Sequence, residues 1–192
     1  MPEIWTIGHS NHTVDHFLHL LSTHSITAVA DVRSTPYSIA ASQFNREAIK
    51  DVLHEKRIHY VYLGEELGPR SPDLACYENG KVVYGRLATT EVFAQGIERL
   101  KKGMTRYRVA MMCAEKDPIV CHRTILICRH LSADAELRIH HILEEGSVEE
   151  NEASEKRLMQ SLKIDEYDLF NTRDEQVAKA YALQSQRIAY AL

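Results

Sequence analysis

The chain has 192 residues, 44% of them apolar, which is enough for one domain with a sizeable core and an appendage. A formal charge of -4 argues against a general polyanion binder, so a nucleic-acid partner is possible but not indicated by charge, and a local basic pocket is compatible with it. MPEIWTIGHS lacks the basic and apolar regions of a signal peptide, and no apolar run is long enough to span a bilayer, so the expectation is a cytoplasmic protein with no membrane partner. The four cysteines, at positions 76, 113, 121 and 128, contain no CxxC pair and read as free thiols rather than as a disulfide framework.

In chain order, short apolar runs alternate with helical patterns. EIWTIG (3–8) reads as a strand. Phe17, Leu18 and Leu21 recur at helical spacing behind Thr13, which predicts a helix to about Thr23, followed by the strand ITAVADV (26–32). A helix over about Asn45 to Lys56, the strand HYVYLG (59–64), and a helix over about Thr90 to Lys101 with Thr89 and Thr90 as cap candidates come next. YRVAMMC (107–113) is a strand, Asp117 and Pro118 are an N-cap and first residue for a further helix, and LRIHHIL (137–143) is the last strand. Repeated strand–helix–strand units predict a three-layer α/β/α fold with a mainly parallel sheet of about five strands.

Two segments depart from the pattern. Residues 65–88 have prolines, glycines and no clear period, which reads as a long functional loop or lid, with a disordered insertion as the alternative. Residues 143–192 carry a net charge of -5 while residues 1–142 carry +1. The expected organisation is therefore an α/β domain over 1–146 and an acidic helical C-terminal extension over 147–192. In that extension, Thr172 and Glu175 form a capping-box pattern ahead of Val177, Tyr181 and Ile188. Its apolar face would pack on the domain or on a second copy, which makes a homodimer a candidate assembly.

Ligands of open parallel sheets bind beyond the carboxyl ends of the strands. Those ends carry His9 and Ser10, then Asp31, Arg33 and Ser34, then Glu65, then Cys113 and Glu115. Asp31 and Arg33 share a face by strand alternation, either as a structural ion pair or with Arg33 facing an anion. If a helix begins at Pro118, Cys121 lies in its first turns, where the dipole and His122 with Arg123 favour a thiolate. At about 100° per residue, however, Cys121, His122 and Arg123 cannot all point the same way.

Three chemistries fit this edge, alongside the bland alternative of cysteines that serve as small buried hydrophobes. Cys113 or Cys121 is a nucleophile with His9 or His122 as base, and Asp31 and Glu115 are acid–base candidates. In that enzyme Arg33 and Arg123, with Ser10, Ser34, Arg70 and His122, bind a small anionic or nucleotide-like substrate; alternatively the same pocket is a non-catalytic nucleotide or nucleic-acid binding or regulatory module. The third is a Cys/His metal site, set low because C-x7-C-H is not a diagnostic zinc spacing, so no metal ligands are assigned. The residues name no cofactor. The six-residue loop from cysteine to arginine of cysteine phosphatases is absent, because Ile119 and Ile127 stand six residues after the two cysteines. There is likewise no P-loop, no GxGxxG, and no HxE with PCxxC.

TIGHS, DVRSTPYS, QFN (43–45), YVYLGEELG, CAEKDPIVCHR and HHILEEG together resemble the family called domain of unknown function 488, over about residues 4–146. The resemblance implies a three-layer α/β fold and a bacterial or archaeal cytoplasmic protein. It also marks as motif positions Gly8, His9, Ser10, Asp31, Arg33, Pro36, Ser38, Gly68, Arg70, Cys113, Glu115, Pro118, Cys121, His122 and Arg123. One departure is LGPRS, where the family pattern runs LGG followed by arginine; Pro69 removes an N–H from that turn.

Overall fold

A computed structural model describes residues 1–192. Its central sheet has six strands in the order β3-β2-β6-β1-β7-β8. In chain order they are β1 (Glu3–Gly8), β2 (Ala28–Asp31) and β3 (His59–Tyr62), then, after a small separate hairpin of β4 (Tyr77–Glu78) and β5 (Lys81–Val82), β6 (Val109–Cys113), β7 (Arg138–Ile142) and β8 (Val148–Glu150). Five strands are parallel, and β8 runs antiparallel to β7 at one edge. The sheet therefore has one strand more than the sequence pattern predicts. The extra strand has only three residues and lies in the segment read as wholly helical.

The helices are α1 (Val14–Thr23), α2 (Arg46–Glu55), α3 (Gly64–Leu67), α4 (Tyr84–Leu87), α5 (Glu91–Met104), α6 (Arg129–Leu131), α7 (Asn151–Ser161) and α8 (Arg173–Ile188). Thr13 caps α1 by accepting from His16 N–H, Thr90 caps α5 by accepting from Phe93 N–H, and Thr172 with Glu175 closes a capping box on α8. Each arrangement satisfies N–H groups that the first helical turn leaves without partners.

Strand alternation divides the core into two layers. Trp5, Ile7, Val29, Ala110 and Met112 face α1 and α2, where Phe17, Leu20, Leu21, Ile49 and Leu53 are buried. Ile4, Ala30, Val32, Met111 and Cys113 face the opposite layer, built from α5, residues 123–131, α7 and α8. Burial of each large apolar side chain contributes roughly 1.5–3 kcal/mol, so both layers are needed to hold a sheet buried on both faces.

Residues 65–88 are ordered. They form α3, a 3-10 turn (Leu74–Cys76), the β4–β5 hairpin and α4. The hairpin turns at Asn79 and Gly80, both at positive φ (49° and 75°), as a two-residue Asn-Gly loop requires. This signal is present in YENGKVV, and the reading of the segment as an irregular lid overlooks it. The end of the chain returns to the same hairpin: Val82 N–H donates to Tyr190 C=O and Leu192 N–H to Gly80 C=O.

In the C-terminal segment, Val177, Ala180 and Tyr181 of α8 are buried in the same apolar cluster as Leu126 and Cys128. The face that the sequence offers to a second copy is thus covered within the chain. No helix is long and apolar enough to cross a membrane.

Candidate metal centre

The helix expected from Pro118 does not form. Pro118–Val120 is a single 3-10 turn, with the Asp117 side chain accepting from Ile119 N–H, and Cys121 is extended (φ -127°, ψ 141°). A π-helical segment, Arg123–Cys128, follows and runs into α6. Because Cys121 is extended, the 100° spacing of a helix does not apply to it. Cys121 and His122 both reach the end of β6, while Arg123 reaches behind the loop.

Cys113 Sγ and Cys121 Sγ both donate to Glu115 Oε2, at 2.8 and 3.1 Å. His122 Nδ1 lies 3.6 Å from Cys113 Sγ and 3.9 Å from Cys121 Sγ. His122 Nε2 is 2.9 Å from Val32 C=O. A carbonyl can only accept, so Nε2 carries the proton and the Nδ1 lone pair faces the sulfurs. One ligating atom from each of Cys113, Glu115, Cys121 and His122 lies within 4.8 Å of all the others. Three of these residues are buried, and Glu115 is exposed.

Burial pushes the Cys121 thiol well above its ordinary value, and the neighbouring Cys113 adds to the shift. Glu115 is exposed as a residue, yet its carboxylate end is turned in among the thiols, where burial would raise its pKa; the hydrogen bonds from both thiols outweigh this and hold it below the usual value. Without a cation, the pocket therefore keeps Cys121 protonated.

Arg123, assigned from sequence to anion binding, is instead structural. It is 0% exposed, and Nη1 donates to Glu115 C=O at 2.5 Å, Nη2 to Lys116 C=O at 3.1 Å and Nε to Thr6 Oγ1 at 3.4 Å. Thr6 Oγ1 in turn lies 2.9 Å from His141 Nδ1, and His141 Nε2 lies 3.3 Å from Asn151 Oδ1, so the chain of contacts continues into α7. Gly8 lets this loop approach β1: a Cβ there would lie 2.0 Å from Glu115 O. From the C-terminal segment, Arg157 pairs with Asp117 and Glu149, and Gln184 Nε2 donates to Ile119 C=O at 2.8 Å.

The other predicted polar residues form a separate cluster on the opposite face of the sheet. Asp31 pairs with Met112 in the register, not with Cys113, so its side chain points toward α1 and α2. Arg33 donates to Asp31 through Nε (2.9 Å) and Nη2 (2.6 Å), to Phe44 C=O through Nη2 (2.9 Å), and through Nη1 to His9 Nε2 (3.0 Å). Tyr60 Oη also donates to Asp31, at 2.8 Å. Four of the five guanidinium hydrogens are thus committed within the protein, which removes the bidentate fork that an anion would need.

His9 Nδ1 contacts Ser10 C=O at 2.9 Å, and its ring stacks on Phe44. Burial and then the Arg33 charge lower its pKa to about 4. With both nitrogens engaged, His9 is a neutral structural group rather than a free base. Ser34 Oγ accepts from Arg70 N–H, and the Arg70 guanidinium donates to Thr35 and lies over the Tyr190 ring, 4.2 Å from its centroid. Ser10, at φ 45°, is half-buried and donates to Asn11. None of these groups reaches the cysteines.

A family model for a domain of unknown function, DUF488, matches residues 13–129. The chain belongs to the DUF488 family. No curated protein and no solved structure matches it. The DUF488 match contains Cys113, Glu115, Cys121, His122 and Arg123, whereas Thr6, Gly8, His141, Arg157 and Gln184, which brace the loop, lie outside the matched residues.

Sequence reasoning missed Tyr84. It is 6% exposed, and its hydroxyl makes no hydrogen bond. Burial, and then the charges of Cys121, Cys113 and Glu115, raise its pKa above the ordinary tyrosine value. Nothing in VVYGR signals this, because the hairpin that delivers Tyr84 is distant in sequence from the cysteines.

Proposed function

We propose that this DUF488 protein is a metalloenzyme that binds one transition-metal ion, zinc(II) by preference, through Cys113, Cys121, His122 Nδ1 and Glu115, and uses it to activate water. The convergence of four ligating atoms within 4.8 Å of one another carries this reading. Two thiolates and an imidazole suit zinc among the abundant divalent ions, with bonds of about 2.3 Å to sulfur and about 2.0–2.1 Å to nitrogen. The backbone acceptor on His122 Nε2 is the kind of outer partner that orients a ligating histidine. A zinc ion with two thiolates, one carboxylate and a neutral imidazole has a net charge of -1, opposite in sign to the buried Arg123 behind the loop.

Glu115 is the exposed member of the set and so the ligand positioned to yield to water. Three protein ligands and one exchangeable position are the pattern of catalytic zinc, which lowers the pKa of bound water to about 7. Zinc also deprotonates its thiols, which offsets the burial that keeps Cys121 protonated. Four free cysteines suit a reducing, cytoplasmic compartment.

The test is metal analysis of protein purified under reducing conditions without chelator. One zinc per chain is expected, with Cys113→Ser, Cys121→Ser and His122→Ala each losing it. A folded wild-type protein that neither retains nor takes up zinc or cobalt(II) sinks the proposal. A second reading, a cysteine nucleophile, draws on the 3.6 Å approach of His122 Nδ1 to Cys113 Sγ. It predicts rapid alkylation of Cys113 in metal-free protein, whereas the metal reading predicts protection by zinc.

A further inference from the structure

A cavity of about 700 Å³ lies between the β4–β5 hairpin, the π-helical segment and α8; none of the four ligating residues lines it, but its wall residue Ile125 donates its N–H to Cys121 C=O at 3.0 Å. Its size is within the range of pockets that enclose small organic molecules. Tyr84 lines this cavity and is buried in the same apolar cluster as Cys113 and Cys121. The hydroxyl has no protein partner and is not sealed from solvent, so it is a free hydrogen-bonding group in the cavity wall.

The walls are largely apolar, from Val82, Ile125 and Leu126. The charges that line the cavity are unbalanced. Glu78 is neutralised by Arg86, at 2.8 Å, while the exposed Arg129 and Lys81 have neither an ion pair nor a side-chain hydrogen bond. Arg129 instead lies over the Tyr181 ring, 5.1 Å from its centroid, which leaves the guanidinium hydrogens free.

We infer that this cavity is the substrate pocket of the enzyme, and that its occupant is an organic anion with an apolar body: a phosphate monoester or carboxylate held by Arg129 and Lys81, with its other end at Tyr84. The inference rests on the metal reading for what happens at the Tyr84 end, but not for binding itself. Its far wall is built by Tyr181, Ser185 and Ala189 of the C-terminal segment, outside the DUF488 match. Metal ligation and the charged and hydroxyl groups that would hold the ligand thus lie in the family-matched part of the chain, and one wall of the cavity lies beyond it.

The experiment is calorimetric titration of the full-length protein, as purified, with phenyl phosphate, and with benzyl alcohol as the uncharged control. Saturable binding of phenyl phosphate is expected, weakened about tenfold or more by Arg129→Met or Lys81→Met, in line with loss of a charged hydrogen bond. Benzyl alcohol should bind more weakly and be indifferent to both substitutions. Absence of saturable phenyl phosphate binding, or binding that neither substitution alters, overturns the pocket. The same ligand added to cobalt(II)-loaded protein reads the Tyr84 end: it should shift the cobalt absorption bands, less so in Tyr84→Phe, whose cobalt uptake should match wild type. Cobalt bands that ignore a saturating ligand overturn the placement beside the metal, whereas absence of cobalt uptake is a failure of the metal reading alone and leaves the calorimetric result standing.

Discussion

Arg123 offers the sharpest test of how the loop is built, because the sequence pattern assigns it to an anion and the structure assigns it to two backbone carbonyls. Replacing it with methionine keeps much of the apolar stem and removes the guanidinium. Glu115 C=O and Lys116 C=O then lose donors at 2.5 and 3.1 Å. Leaving a buried acceptor unpaired costs about 1–3 kcal/mol, so two of them together cost about 2–6 kcal/mol. For a chain of this size each kcal/mol moves the melting temperature by about 2–4 °C, so a fall of about 10 °C is expected by circular dichroism. Zinc affinity should drop by about 10–100-fold, the usual cost of an outer-shell loss. Arg123→Lys keeps the charge but not the fork, and should recover only a minority of either effect. A methionine variant that melts within about 2 °C of wild type, holds zinc normally and fails only to bind phenyl phosphate would refute the structural role and restore the anion-binding one.

Gly8→Ala should be among the most damaging small substitutions in the protein: the added Cβ would lie 2.0 Å from Glu115 O, so the loop must move, and zinc content on purification should fall together with thermal stability. Acid sensitivity should follow from His141, whose pKa is lowered from 6.5 to about 4 by burial and then by the Arg123 charge. The unfolded chain binds this proton first, so the folded state loses stability as pH falls from 6.5 towards 4, by up to about 3 kcal/mol. Urea midpoints at pH 7, 6 and 5 should decline for wild type and less steeply for His141→Gln; equal slopes would show that other groups dominate.

The elements were legible because their signals are local. Thr13, Thr90 and Thr172 cap the helices that the spacing predicts, and the parallel sheet follows from the alternation of strand and helix. The site was legible only as an edge. Which face each residue takes depends on strand register, and the pairing of Asp31 with Met112 sends Asp31, Arg33 and His9 away from Cys113. That pairing joins residues 81 positions apart and has no local signature. The proposed metal set was legible only in part for a similar reason: Cys113, Cys121 and a histidine stand out as soft ligands, but their spacing does not recommend them. C-x7-C-H matches no zinc spacing, yet the 3-10 turn at Pro118–Val120 and the extended Cys121 fold the intervening residues out, and Glu115 enters from inside the loop.

That construction makes the C-terminal segment part of the site even though it supplies no ligand. The loop between Cys113 and Cys121 is too short to hold itself: its carbonyls are taken by Arg123, its Asp117 carboxylate by Arg157, and Ile119 C=O by Gln184. The Arg157–Asp117 pair is about one-third exposed on both sides, so it contributes about 1 kcal/mol at most. Gln184, by contrast, is buried, and the same helix buries Val177, Ala180 and Tyr181 against the π-helical segment that follows His122. Ending the chain at residue 146 would leave all four ligands in place and strip this cover, exposing apolar surface worth several kcal/mol by the usual burial coefficient of about 25 cal/mol per Å². The expected product is poorly soluble or molten, and without stoichiometric zinc. A truncated protein that remains monomeric, melts cooperatively and binds one zinc with wild-type affinity would show that the loop is shaped by residues 1–146 alone, and that α7 and α8 serve only the neighbouring cavity.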